Sequence, residues 1–335
     1  MQQNHYHVLK EIDKLRNPSK KHYTRITSLP TEVVGYIMSW IHPQEAWRFR
    51  AISKSFNSLL SSSGFIVQNL KRSAQRIYMD SDKSYIDETS VNDWDVLFFN
   101  APALYQSEYV RRFMSHVVEI SWNYPLGCAL PRIWLSNLNK LVVLELPQCN
   151  LVGSIPEEIG LLSNLQNLDL YANSLTGEIP SSIGNLVNLR LLVLCENEEL
   201  GGMLPSTMGC LTSLVTFRAN TTNIMGPIPV EFGNLKRLET LSLSLNENPA
   251  MPNHIPPELG TLSRLKKLHL CGCHLIGRIP PELGHLASLT SVLLADNQLE
   301  GPVPSEWGQM NLRGCDLRDN LNLSYPFQIP DLWLT

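Results

Sequence analysis

The stretch Leu165-Gln-Asn-Leu168-Asp-Leu170-Tyr-Ala-Asn173-Ser-Leu175-Thr-Gly177-Glu-Ile179-Pro180, followed by Ile183-Gly184 and Leu186, decides the fold. Its first half alternates. In an extended chain Leu168 and Leu170 turn inward while Asn167, Asp169 and Tyr171 turn outward. Its second half is built to bend. The Asn173 amide can bond backbone groups that the turn strands inside, Gly177 permits a tight bend, and Pro180 fixes the return segment and forbids a long helix.

Working outward, the same pattern restarts at Leu141, Leu165, Leu189, Leu214, Leu238, Leu265 and Leu289, at spacings of 24 to 27 residues, most often 24. Asn173, Asn197, Asn246, Asn297 and Asn320 recur as a ladder, with Thr222 and Cys273 in its place in two units. Gly153, Gly177, Gly226, Gly277 and Gly301 recur at the bend, and Pro156, Pro180, Pro205, Pro229, Pro256, Pro280 and Pro304 at the return. Stacked units give an α/β solenoid whose short strands form one parallel sheet and whose opposite side is thin and irregular. Leu151 to Pro156, Leu175 to Pro180 and Leu275 to Pro280 carry the Leu-x-Gly-x-Ile-Pro signature, and here the sequence closely resembles the plant-type leucine-rich-repeat family. The resemblance implies a curved array with a concave sheet.

The unit beginning at Leu238 holds three extra residues around Pro249 to His254, which should bulge from the edge. Weaker copies flank the array, from Val117 to Lys140 and from Leu312 onward, as expected of repeats that shield an open core. The leucine-rich domain is therefore placed at 117–335.

Before it lies a different object. In Ile26 to Leu60, Pro30 suits a first helical turn, Glu32 sits near the positive helix end, and Val33, Ile37 and Ile41 share a face. Pro43 restarts the pattern, and Ile52, Phe56 and Leu59 or Leu60 form another apolar stripe, so a bundle of about three short helices is the economical reading. Leu29-Pro30, Glu32, Ile37, Ile41, Pro43, Ala46, Arg50, Ile52-Ser53, Lys54 and Phe56 fall at the spacings of an F-box, which this segment resembles. The resemblance implies docking onto a Skp-type adaptor of a cullin ubiquitin ligase, with Leu29, Pro30, Ile37, Ile41, Ile52, Ser53 and Phe56 at or beneath the adaptor surface. The chain then divides into a tail at 1–24, an F-box-like module at 25–64, a connecting segment at 65–116 whose fold is not legible, and the repeats.

Composition narrows the function. A net charge of −4 offers no sheath for phosphate backbones and no long basic anchor, so neither nucleic acid nor a membrane is expected as partner. Gly, Pro, Asn or charge interrupts every leucine run short of the about 20 apolar residues a bilayer demands. Residues 1–30 lack the apolar core of a secretory signal, and seven cysteines without paired spacing fit free thiols, so a cytoplasmic or nuclear location is expected. Asn220-Thr221-Thr222 and Asn322-Leu323-Ser324 read as chance glycosylation patterns, and Lys20-Lys21 and Lys71-Arg72 as solvated surface rather than import signals.

The search for chemistry ends without a centre. His269, Cys271, Cys273 and His274 are zinc-ligand types, but alternation sends His269 and Cys271 to the outer sheet surface and Cys273 to the ladder. No Gly-x-Ser-x-Gly elbow, phosphate loop or His-Glu-x-x-His occurs, so no cofactor, metal or catalytic residue is expected. What remains is binding. The outward rows run Glu145, Asp169, Val193, Arg218, Ser242, His269, and beside them Tyr171, Glu196 and Asn220, which together form the expected contact surface for a protein substrate. Two rivals stand beside this reading: an intracellular scaffold without ubiquitin chemistry, and a receptor or inhibitor ectodomain.

Overall fold

The computed structural model describes residues 65–66, 85–86, 106–107, 110–123, 125–244, 252–320 and 322–327. The chain divides into two compact units, Met1–Asp82 with Asn100–Phe113, and Lys83–Phe99 with Met114–Thr335. In the first, Phe65 and Ile66 are helical and buried. The expected helices at 25–64, and with them Leu29, Pro30, Ile37, Ile41, Ile52, Ser53 and Phe56, lie outside the described residues.

In the second unit one segment of three or four residues per repeat becomes a strand. Val143–Glu145, Asn167–Asp169, Leu191–Val193, Thr216–Ala219, Thr240–Leu243, Lys267–His269, Ser291–Leu293 and Gly314–Asp316 pair in parallel, each with the strand of the next repeat. Upstream, Glu119–Ser121 and then Tyr85–Ile86 bring the sheet to ten strands. The sheet thus begins in sequence read as part of the connecting segment. The pleat sorts the side chains as alternation requires: Leu144, Leu168, Leu192, Phe217, Leu241, Leu268, Val292 and Cys315 lie in register and are buried. Trp122 and Trp134 meet edge to face at 5.7 Å near one end of this core, and Trp307 is fully buried near the other.

Each return proline caps a five-residue 3-10 helix: Glu157–Leu161, Ser181–Asn185, Ser206–Cys210, Val230–Asn234, Pro257–Thr261, Pro281–His285 and Ser305–Gln309. The proline's fixed φ suits the cap, and the tight 3-10 geometry limits the length. These turns stack closely. A Cβ added at Gly209 would meet the Glu231 Cβ at 2.5 Å.

Two expectations need correction. The path between sheet and 3-10 helix is not irregular: Val152–Gly153, Ser174–Glu178, Asn197–Met203 and Thr222–Met225 form a second parallel sheet, and Ile276–Arg278, Gln298–Pro302 and Asn322–Ser324 a third. Backbone groups freed by the bend are satisfied by the next repeat's backbone, which stacking brings within reach. The bend glycines also differ. Gly153, Gly177, Gly277 and Gly301 take the left-handed conformation, joined by Gly202, whereas Gly226 does not. At Gly226 the absent side chain serves a close approach, since a Cβ would collide with the Asn253 amide. Residues 245–251 of the extended loop lie outside the described residues, and just past them Asn253 makes a single bridge to Leu275.

Candidate binding face

The concave sheet owes its rigidity to the ladder beneath its edge. Asn173 Nδ2 donates to the carbonyls of Leu146 (2.9 Å) and Leu170 (3.0 Å), while its Oδ1 accepts from Leu151 N–H (2.8 Å). Asn197, Asn297 and Asn320 repeat this arrangement, and all four are buried. Asn246 lies outside the described residues. The substitutes keep part of it. Thr222 Oγ1 donates to Ala219 O, and Cys273 Sγ to Leu243 O. Cys149, which the sequence reading left unassigned, does the same toward Trp122 O at 3.3 Å.

Register then places the expected contact residues on one line. Glu145, Asp169, Val193, Arg218, Ser242 and His269 are directly paired across successive strands. They are not equally accessible. Arg218 is exposed and Glu145, Asp169 and His269 half-buried, but Val193 and Ser242 are only 7% exposed. Tyr171 and Asn220 are half-buried, and Glu196 is exposed at a left-handed turn position. Leu191, beside Val193 in the same strand, keeps more exposure and is the better apolar contact; its place in the outward row of odd strand positions was readable.

Charge divides this face. Toward the amino end, Glu145 accepts from Ser121 Oγ and Asn167 Nδ2, and Tyr171 Oη donates to Glu196 Oε1 at 2.9 Å. Burial pushes the Asp169 carboxyl above its usual range, opposed by the Tyr171 N–H it accepts, reinforced by Glu145 and opposed by Arg218. Further along come Arg218, Lys267 and His269. Burial, then Lys267 and Arg218, push the His269 imidazole down, and its Nε2 lies 2.8 Å from Ser291 Oγ.

The tempting zinc set is not assembled: among the described residues no group of three or more His, Cys, Asp or Glu is placed to hold a metal. Cys271 is half-exposed on the outer surface, Cys273 buried in the ladder, and all seven cysteines are free. No helix among the described residues is long and apolar enough to cross a membrane.

Comparison with known proteins agrees with this architecture. Residues 26–68 match the F-box domain, residues 128–251 a leucine-rich repeat region, and residues 264–286 a leucine rich repeat. The chain is similar to the plant peptide hormone receptor RGFR1 in complex with RGF2, at 34% identity and a TM-score of 0.57 over 64% of this chain and 34% of that one. It is similar also to the Arabidopsis receptor kinase HAESA in complex with the peptide hormone IDA and the co-receptor SERK1, at 32% identity and 0.55 over 64% and 36%. It therefore spans about a third of the length of those receptor chains. No curated protein matches it. The chain joins an F-box domain to a plant-type leucine-rich-repeat array.

Proposed function

We propose that this protein is the substrate-recognition subunit of a cullin-type ubiquitin ligase, its F-box holding a Skp-type adaptor and its concave face holding the protein to be modified. The observation that carries the reading is the pairing of an F-box match at 26–68 with a repeat array, both of them modules of protein–protein interaction. The protein contributes position rather than chemistry: it holds a partner segment near a ligase whose other subunits transfer ubiquitin. This places its work in the cytoplasm or nucleus.

On the concave face an extended partner segment lays a basic end near Glu145, Asp169 and Glu196, settles an apolar side chain beside Tyr171 and Leu191, and presents an anionic group to Arg218. The decisive experiment is copurification of the full chain with a Skp-type adaptor, wild type against Pro30→Ala with Ile52→Asp. The wild type should bring the adaptor down. The variant should lose it, because an Asp buried unpaired in an apolar interface costs several kcal/mol, a factor of about a hundred or more. Failure of the wild type to bind would end the ubiquitin reading.

One observation favours a second reading: RGFR1 and HAESA are solved with peptides, so the array alone could serve a peptide ligand with no adaptor. Adaptor copurification separates the two.

A further inference from the structure

We propose that the edge of the array where the chain enters the concave sheet is a second docking surface, a narrow cationic strip from Arg190 to Arg313 that takes an extended Asp- and Glu-rich segment of a partner protein. This goes beyond the concave-face reading and does not depend on it.

The strip is written in the turns that lead from each 3-10 helix into the next strand, at 186–190, 211–215, 235–239, 262–266, 286–290 and 310–313. Their charged residues are Arg190, Lys236, Arg237, Arg264, Lys266 and Arg313, with Glu239 the one carboxylate. All of these cations are exposed. The turns are held in register by their backbones: Val215 N–H donates to Arg190 O, Glu239 N–H to Val215 O, Lys266 N–H to Glu239 O, Thr290 N–H to Lys266 O and Arg313 N–H to Thr290 O, each at 2.8 Å. Arg190 and Arg313 thus stand five strand spacings apart, about 24 Å. Midway between them, Arg237 and Arg264 each lie three residues before a paired strand residue, Thr240 and Lys267, and so sit side by side one spacing apart, about 5 Å.

Most of this charge is not spent within the fold. Lys266 is held by Glu239 at 2.7 Å, and Lys236 Nζ donates to Thr261 Oγ1 at 2.7 Å. Among the described residues no ion pair or side-chain hydrogen bond engages Arg190, Arg237, Arg264 or Arg313. The helices do not account for them either. The preceding 3-10 helices carry no basic residue in the last turn, where a cation would offset the helix dipole, and these cations lie past it. Arg237 and Arg264 repel one another, and an anion laid between them relieves that repulsion.

The surroundings select the occupant. Glu231, Glu258 and Glu282 are exposed in the first turns of their helices, so carboxylates bound the strip on its convex side. A broad anionic surface, such as a nucleic acid or a bilayer, meets those carboxylates as well as the cations. A single extended chain can follow the cations alone. At about 3.3 Å per residue, about seven or eight residues cover the strip, and their carboxylates pair with guanidinium groups through two parallel hydrogen bonds.

The test uses the full chain and three fluorescein-labelled probes: a peptide of about eight Asp and Glu residues, its Asn and Gln counterpart, and a single-stranded DNA of equal charge. Binding is read by fluorescence polarisation at low and physiological salt. The acidic peptide should bind at least about tenfold more tightly than either other probe, with affinity falling as salt rises. Arg237→Gln with Arg264→Gln should weaken it about tenfold or more, and Arg190→Gln with Arg313→Gln, which leaves the centre intact, about threefold or more. All four residues are exposed, so melting curves should not move, and Arg278→Gln, exposed in the third sheet, should leave affinity unchanged. Acidic-peptide binding that survives both double substitutions, or that is lost in Arg218→Gln instead, overturns the proposal. So does DNA binding as tight as that of the peptide. None of these results bears on adaptor copurification, so the edge and the ubiquitin-ligase reading can fail separately.

Discussion

Asn173→Ala is the sharpest test of how the array is held together. The side chain makes bonds to two repeats at once: Nδ2 donates to Leu146 O of the preceding repeat and Leu170 O of its own, and Oδ1 accepts from Leu151 N–H of the preceding repeat. Truncation leaves these groups without the amide in a buried turn, where an unsatisfied backbone group costs about 1–3 kcal/mol. Some relaxation is available, so the whole change should cost about 2–3 kcal/mol rather than the sum of three penalties. For a domain of this size that corresponds to a fall of roughly 4–12 °C in melting temperature. Asn173→Asp separates the two roles, because it keeps the acceptor and loses the donors, and should fall at least as far, since it also buries a charge. Exposed Glu178→Ala is the control and should move by less than about 0.5 kcal/mol. Urea melts followed by circular dichroism supply the numbers, with the slope checked for lost cooperativity along the array. Equal midpoints for Asn173→Ala and Glu178→Ala would refute the ladder as a source of stability.

Gly209→Ala places a Cβ 2.5 Å from the Glu231 Cβ of the next 3-10 helix, so it should destabilise by about 1–3 kcal/mol through overpacking; a neutral melt would mean the return turns are not close-packed. Asp169→Asn should stabilise the protein at neutral pH. The folded carboxyl titrates above its ordinary 3.8, so its protonated form favours folding, and that contribution is present below 3.8 and lost as pH rises through the folded value. The gain of Asn over Asp should therefore vanish in melts at strongly acidic pH, and a gain that persists there contradicts burial as the cause. Tyr171→Phe removes only the exposed hydroxyl bond to Glu196 and should leave folding unchanged, whereas Tyr171→Ala should weaken a concave-face partner by about 2 kcal/mol, roughly thirtyfold, in a direct binding titration. Full affinity in Tyr171→Ala would move the site off this face.

The repeat register was legible because an inward strand position demands a buried apolar side chain, most often leucine, so copy after copy restates it. Leu144, Leu168, Leu192 and Leu241 carry that demand in the sequence and are 0 to 2% exposed in the fold. The secondary sheets were not legible. Ser174–Glu178 and Asn197–Met203 are held by backbone pairing, which any residue supplies, and their alternation is broken by the glycines that let the chain bend. Gly202 was hidden for a related reason: Glu199, Leu200 and Gly201 shift the spacing between Asn197 and the bend by one residue, so the motif counted from Asn173 to Gly177 does not carry over. Tyr85–Ile86 escaped because a two-residue strand has no period at all.

The site shows the same division between what side chains demand and what geometry adds. Alternation assigns Arg218, Ser242 and His269 to one outward line, and the register agrees. It cannot say that Val193 and Ser242 are buried while Arg218 stands clear, because the exposure of an outward residue depends on side chains of neighbouring strands that alternation does not specify. Nor does sequence reveal that Glu239 takes Lys266, 2.7 Å away, rather than the adjacent Lys267. The line of Arg218, Ser242 and His269 across three strands emerges only when the strands are laid side by side. In a solenoid, then, the core is written along the chain, whereas a binding seat is written across it, one residue per repeat, and is readable only once the register is known.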